Sequence, residues 1–219
     1  MDQEIVIRPY EPTDREAVRH ICWVTGYMGE PAAWMWRDEK SFADLFSSYY
    51  TDGEPESALV AVADGVVSGY LLGCVDTRKV WRPSRIFFHH VLRRGIAFRP
   101  GTSAMILRSF TDGFVDRMRN QLPTESFNDK RWPAHLHIDL MSSVRGQGVG
   151  AKLIRRWLDS LRAKGVKGCH IETLGENERA LAFFEAMGFE RYGRPAMAPG
   201  LRSPSGERHT VQLLVQSLE

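Results

Sequence analysis

The stretch from His135 to Gly165, HLHIDLMSSVRGQGVGAKLIRRWLDSLRAKG, constrains this chain more than any other. Over His135 to Met141, apolar Leu136, Ile138 and Leu140 alternate with His135, His137 and Asp139, the two-residue period of a strand. Farther on, Val149, Leu153, Ile154, Trp157, Leu158 and Leu161 recur at helical spacing and predict an amphipathic helix. Between them lies Arg145-Gly146-Gln147-Gly148-Val149-Gly150. In a strand, glycine-rich turn and helix taken in that order, backbone N–H groups converge on an anion at the helix start. Glycine permits the left-handed backbone and the close approach that this needs.

The spacing separates this loop from two other phosphate sites. A mononucleotide loop needs Lys-Ser/Thr after its last glycine, and here Gly150 is followed by Ala151-Lys152-Leu153. The dinucleotide fingerprint tolerates Ala151 in its third position but needs an acidic residue ending the next strand. That region reads Gly168 to Leu174 and runs into Gly175-Glu176-Asn177. What remains is Arg-x-x-Gly-x-Gly at Arg145, Gly148 and Gly150. Downstream, Gly168 to Leu174 reads as a strand, and Asn177 opens a short helix from Glu178 to Met187 that ends at Gly188-Phe189.

Arg-x-x-Gly-x-Gly followed by Asn-x-x-Ala…Phe-Phe-Glu-x-Met-Gly-Phe resembles the paired motifs of the GNAT acyltransferase superfamily. A more distant likeness runs to the acetyltransferase-like domain of O-GlcNAc hydrolases. The resemblance implies an α/β (α+β) fold, the GNAT fold: a central, mixed but mostly antiparallel sheet of about seven strands flanked by helices. It also implies acetyl-CoA (coenzyme A) as cofactor. The implied cofactor-binding residues are Ile138, Leu140 and Met141 on the opening strand, and Arg145, Gly146, Gln147, Gly148, Val149 and Gly150 in the loop. Asn177, Ala180, Phe183 and Phe184 of the second motif complete the set. Ile138 N–H is the expected donor to the thioester oxygen, an oxyanion-type contact.

The 219 residues, 43% hydrophobic, suit one domain, 1–219, with a large insertion at about 77–132. No apolar run reaches the ~18–20 residues of a membrane span. The start, Met1-Asp2-Gln3-Glu4, lacks the basic and apolar pattern of a signal peptide. Cys22, Cys74 and Cys169 are odd in number and set among apolar residues, which points to reduced buried thiols and a cytoplasmic location. No Cys/His pair has metal-site spacing, so no metal is expected. The net charge of +2 conceals an asymmetry. Thr77 to Trp132 carries twelve Arg and Lys against four Asp and Glu, leaving 17 basic and 23 acidic residues elsewhere. The chain is a mildly acidic body with a basic insert.

From the N-terminus, Glu4 to Pro9 reads as a strand. Thr13, with Glu16 three residues on, reads as the cap of a helix carrying Ala17, Val18, Ile21 and Cys22. Trp34 to Tyr50 is rich in aromatics. Ala58 to Ala63 and Val66 to Val75 read as strands joined by Asp64-Gly65, a short hairpin signal. Inside the insert, Ile86 to Leu92 and a longer segment from Thr102 or Ser103 read as two packed helices. The second places Leu107, Phe110, Phe114, Met118 and Leu122 on one face. Gly193 to Arg208 reads as a loop, and Thr210 to Val215 as a last strand.

Acyl transfer to an amine needs a held cofactor, a neutral nucleophile, a polarised carbonyl and a protonated leaving thiolate. An amine of pKa near ~10 must lose a proton at pH 7. His137 beside Asp139 is one candidate base; Glu172 on the following strand is the other. The family's tyrosine acid is replaced by Phe184, which has no proton to give, leaving Tyr192, Tyr27 or water. The leading expectation is an acetyl-CoA-dependent N-acetyltransferase working by direct attack in a ternary complex on a small-molecule or peptide amine, as monomer or homodimer. The alternative is a catalytically weak or inactive GNAT-fold binding module. Nucleic-acid binding through the basic insert, with Trp81, Phe87, Phe88 and Trp132, is disfavoured because those aromatics fit helix cores better than a stacking platform. The residues do not identify the acceptor.

Overall fold

The computed structural model describes residues 4–81, 88–93, 95, 102–119 and 127–219. Seven strands form one sheet: β1 (Ile5–Pro9), β2 (Ala58–Ala63), β3 (Val66–Cys74), β4 (Ala134–Leu140), β5 (Gly168–Leu174), β6 (Glu190–Arg202) and β7 (Arg208–Ser217). Their order is β1-β2-β3-β4-β5-β7-β6, antiparallel throughout except for β4 beside β5. Among the described residues five α-helices flank it: α1 (Arg15–Thr25), α2 (Glu39–Gly53), α3 (Thr102–Met118), α4 (Val149–Ala163) and α5 (Glu178–Ala186).

The alternation read on β4 sorts the two faces. Leu136 joins the cluster covered by α4 and α5, with Ile138 and Leu140 packed against its edge. Val149, Leu153, Ile154, Trp157, Leu158 and Leu161 of α4 are all buried there, each worth ~1.5–3 kcal/mol on the hydrophobic scale. The opposite face carries α1 and α2, with Val18, Ile21, Cys22, Phe42, Tyr49 and Tyr50 buried against β2 and β3. Asp64 (φ 48°) and Gly65 (φ 81°) take the two left-handed positions of a tight β2–β3 hairpin.

Several expectations change. Thr13 does not cap α1: Asp14 accepts the Glu11 N–H at 2.8 Å and two bonds from Arg8, so a short turn at Pro12–Asp14 precedes the helix. The carboxylate wins because it also neutralises a guanidinium. The stretch from Gly193 is not a loop, since β6 continues to Arg202. As the outer strand of the sheet it absorbs Pro195 and Pro199 through register shifts, which an edge tolerates.

In the insert, Phe88–Leu92 is a short π-helical turn, while Ile86, Phe87, Arg94 and Leu122 lie outside the described residues. α3 forms from Thr102, but its apolar stripe does not pack inward. Leu107, Phe110, Phe114 and Met118 are 66–74% exposed. The helix docks by its polar face: Asp112 holds Arg202 at 2.7 Å and accepts the Gly200 N–H, and Asp116 pairs with Arg208. Ser109 donates to Pro199 O at 3.3 Å, and a Cβ on Gly200 would meet its hydroxyl at 2.0 Å, so glycine sets this close approach. Periodicity identified the stripe; ion pairs to β6 and β7 decided which side faces out.

Candidate active site

β4 and β5 pair only at Ala134–Cys169 and His135–His170, then part. Just past the end of β4, Met141 N–H bonds to Ser68 O of β3, at 2.8 Å. Peptide groups alternate along a strand, so those of Leu136, Ile138 and Leu140 turn the other way, into the gap beside β5. The parted strands therefore leave a slot edged by free N–H and C=O groups. Ile138 and Leu140 supply such groups; Met141 does not, because its N–H is spent on Ser68.

At the end of β4 the glycine loop closes over this slot. Gly146 (φ 75°) and Gly148 (φ 74°) are left-handed, and a Cβ at either would point into open space. Arg145 N–H is taken by Ser142 O, whereas the N–H groups of Gly146, Gln147 and Gly148 have no backbone partner among the described residues. Those of Val149 and Gly150 sit in the first turn of α4, where no helical acceptor exists. The result is an anion-binding nest at the positive end of a 15-residue helix. At Gly150, a Cβ would meet the Phe183 ring at 3.0 Å, so glycine lets α5 pack across the start of α4. Asn177 caps α5 by accepting the Ala180 N–H, and Ala180 packs beside the core. Phe184 is buried between Phe183 and Phe189.

The segment after α1 roofs the slot from the other face. Arg145 donates to Leu140 O and to Gly29 O, both at 2.8 Å, and Arg179 donates to Met28 O. Tyr27 Oη lies 2.9 Å from His209 Nε2, and His209 Nδ1 lies 2.8 Å from Glu176. Glu176 also accepts from Thr210, and its contacts to His209 and Thr210 outweigh its burial, so its pKa falls below the usual carboxylate value. A carboxylate on Nδ1 directs that proton outward and leaves Nε2 to accept from the Tyr27 hydroxyl.

Beneath this roof, one sheet face carries every candidate base. His135 bonds to Tyr50 Oη and Thr77 Oγ1, both at 2.7 Å, and is structural. His137 rests edge-on to Tyr50, and burial, aided by His170, lowers its pKa to about 4. The imidazole is therefore neutral at pH 7. Asp139 does not orient His137: its partner is the Tyr70 hydroxyl at 2.5 Å, and burial lifts its pKa to about 7. Two residues apart on a strand, the two side chains point in parallel, and each meets its own neighbour, His137 the Tyr50 ring on α2 and Asp139 the Tyr70 hydroxyl on β3. Glu172 lies across the gap at the level of His137, two residues past the last β4–β5 pair. It makes no hydrogen bond among the described residues, and burial raises its pKa.

Sequence reasoning singles out β4, the glycine loop and Glu172, which the fold brings to one end of the sheet. Glu176, His209, Tyr50 and Tyr70, which carry no local motif, join that region only through the fold. Among the described residues no group of three His, Cys, Asp or Glu could hold a metal ion, and no helix is long and apolar enough to cross a membrane. Cys22, Cys74 and Cys169 are free and buried. A cavity of about 210 Å³ at Trp132, Glu190 and Gln216 lies at the opposite strand ends from the nest.

The sequence model of the Acetyltransferase (GNAT) family matches residues 120–189, the span holding β4, the nest, α4, β5 and α5. That span is what the chain shares with the GNAT family. Over 55 residues it is 38% identical to N-alpha-acetyltransferase 30 of Schizosaccharomyces pombe, covering 25% of this chain and 37% of that relative's length. Among solved structures, the GNAT fold here superposes on SsHAT with a TM-score of 0.67 and 27% identity over 99% of both chains. It also superposes on yncA of Salmonella typhimurium, solved with its cofactor acetyl-CoA, with a TM-score of 0.58 and 17% identity over 98% of this chain and 94% of that one.

Proposed function

We propose that this chain is an acetyl-CoA-dependent N-acetyltransferase that moves an acetyl group to a primary amine by direct attack in a ternary complex. The observation that carries the reading is the meeting of two features: a slot of unpaired β4 backbone between parted strands, and a nest of N–H groups without backbone partners at the end of that slot. One binds an extended amide-bearing arm by strand-like pairing; the other binds its pyrophosphate. Acetyl-CoA has both parts in that order, so the residues present fit the cofactor. Ile138 and Leu140 would hold the arm, Gly146 to Gly150 the phosphates, and Phe183 the side of the slot. When bound, the cofactor supplies an acyl group activated as a thioester.

The chain's own residues do the rest. Ile138 N–H, aimed into the slot, stabilises negative charge on the thioester oxygen, an effect worth ~3–4 kcal/mol at comparable sites. Glu172 takes the proton from the incoming ammonium, directly or through water; its raised pKa brings it toward the working pH. Neutral His137 faces it across the gap and accepts a hydrogen bond from the amine. Asp139, with its pKa near 7 but shared with Tyr70, is the second choice for base. Phe184 gives no proton, and a thiol of pKa ~8.5 departs without one. Tyr27 is bonded to His209, so it serves the roof of the slot. The reading includes a cytoplasmic protein of one domain, in keeping with the free cysteines.

Calorimetry with acetyl-CoA, followed by a thiol-release screen over amine classes, tests this. Micromolar cofactor binding with thiol release on an amine supports it. Absence of cofactor binding overturns it; binding without release on any amine leaves the binding-module alternative.

A further inference from the structure

A second cavity, about 120 Å³, opens where three segments meet on the α1–α2 face. Trp34 and Met35 come from the roof segment, Met105 and Arg108 from α3, and Gly200, Leu201 and Arg202 from β6. The clasp at Ser109, Gly200 and Pro199 fixes the α3–β6 wall of this space. Its lining is mixed: Trp34, Met35, Met105 and Leu201 supply apolar surface, and two arginines supply charge. Arg202 is neutralised by Asp112. Arg108 has no carboxylate partner among the described residues. An open, partly apolar pocket whose exposed rim carries a guanidinium without a carboxylate partner is complementary to an apolar body that ends in a carboxylate.

The cavity adjoins the reaction face through a short chain of contacts. Trp34 packs edge-on against Tyr27 at 5.0 Å, and Tyr27 bonds to His209 on β7. Four residues along that strand, Leu213 pairs with Glu172. At about 3.3 Å per residue, this sets His209 ~13 Å along the sheet from the base, and the cavity lies beyond His209, past Tyr27 and Trp34. We propose that the acceptor is an elongated amine with an apolar middle and a carboxylate on the order of 10 Å or more from its nitrogen, held at its far end by Arg108. The proposal rests on the acetyl-transfer reading above. It makes the insertion a specificity element.

The test compares 4-aminobutanoate, 8-aminooctanoate and 12-aminododecanoate with the matching alkylamines, in wild type, Arg108→Gln and Arg108→Lys, by thiol release. A charge-assisted bond of ~1.5–3 kcal/mol corresponds to about a 10- to 100-fold lower KM for the long amino acids than for the long alkylamines. The four-carbon compound, too short to span, gains nothing. Arg108→Gln should equalise the long pairs, and Arg108→Lys should restore part of the difference, with acetyl-CoA affinity the same in all three proteins. A wild type that treats the long pairs alike, or an advantage that survives Arg108→Gln, overturns the proposal. If no amine gives thiol release, tryptophan fluorescence titrated with 8-aminooctanoate separates the two readings. Saturable quenching lost in Arg108→Gln keeps the site while acetyl transfer falls; no quenching removes the site as well.

Discussion

Replacing Asp139 by Asn should stabilise the protein at alkaline pH and do little at acid pH. The carboxyl sits beneath α1, where the Tyr70 hydroxyl donates to it at 2.5 Å, and burial lifts its pKa from 3.8 to about 7. An asparagine oxygen accepts the same bond and carries no charge to desolvate. A pKa raised by about 3 corresponds to ~4 kcal/mol between the two protonation states. Because the folded state holds the proton more tightly, this contribution is fully present below pH 3.8 and is lost as pH rises through about 7. From pH 5 to pH 8 the wild type should lose roughly 2–3 kcal/mol that the variant keeps. For a chain of this size, 1 kcal/mol moves Tm by about 2–4 °C, so the variant's Tm advantage should grow by ~5–10 °C over that range. Thermal melts of both proteins at pH 5, 6, 7 and 8 and constant ionic strength measure it. A Tm difference that stays constant with pH, or is larger at pH 5, would refute a buried, proton-holding Asp139.

Gly148→Glu should abolish acetyl-CoA binding by calorimetry, since a carboxylate would occupy the nest; the left-handed backbone adds strain of ~1–2 kcal/mol, visible as a small Tm drop. Unchanged affinity would remove the nest as the phosphate site. Glu172→Gln should cut turnover at pH 7 by ~10²-fold or more, with a smaller deficit at pH 9, where more of the amine is already neutral; an equal loss at both values would make Glu172 structural. Gly73→Ala places a Cβ 2.5 Å from the Trp157 ring and should cost ~1–3 kcal/mol in urea melts, whereas an unchanged midpoint would mean that Trp157 can shift aside.

What the sequence determined by itself is what short-range physics controls. The two-residue period of β4 assigned its faces, the glycines of the loop announced a left-handed turn before a helix, and the stripe of α4 named its buried residues without error. These follow from steric and burial rules acting within about twenty residues, so adjacent letters suffice to read them. The hairpin at Asp64-Gly65 is of the same kind. Only the tertiary structure decided the remainder. Tyr27 and His209 are 182 positions apart and meet because β7 lies next to β5, beside the slot. The apolar stripe of α3 was legible, but its direction was not. Asp112 and Asp116 reach Arg202 and Arg208 across about ninety residues, and those ion pairs turn the phenylalanines to solvent. Asp139 belonged on paper to His137 and in space to Tyr70, because β3 runs antiparallel beside β4 and sets Tyr70 opposite it. Periodicity specifies which side of an element is apolar; what that side touches is fixed only when strands and helices distant in sequence settle their order and register.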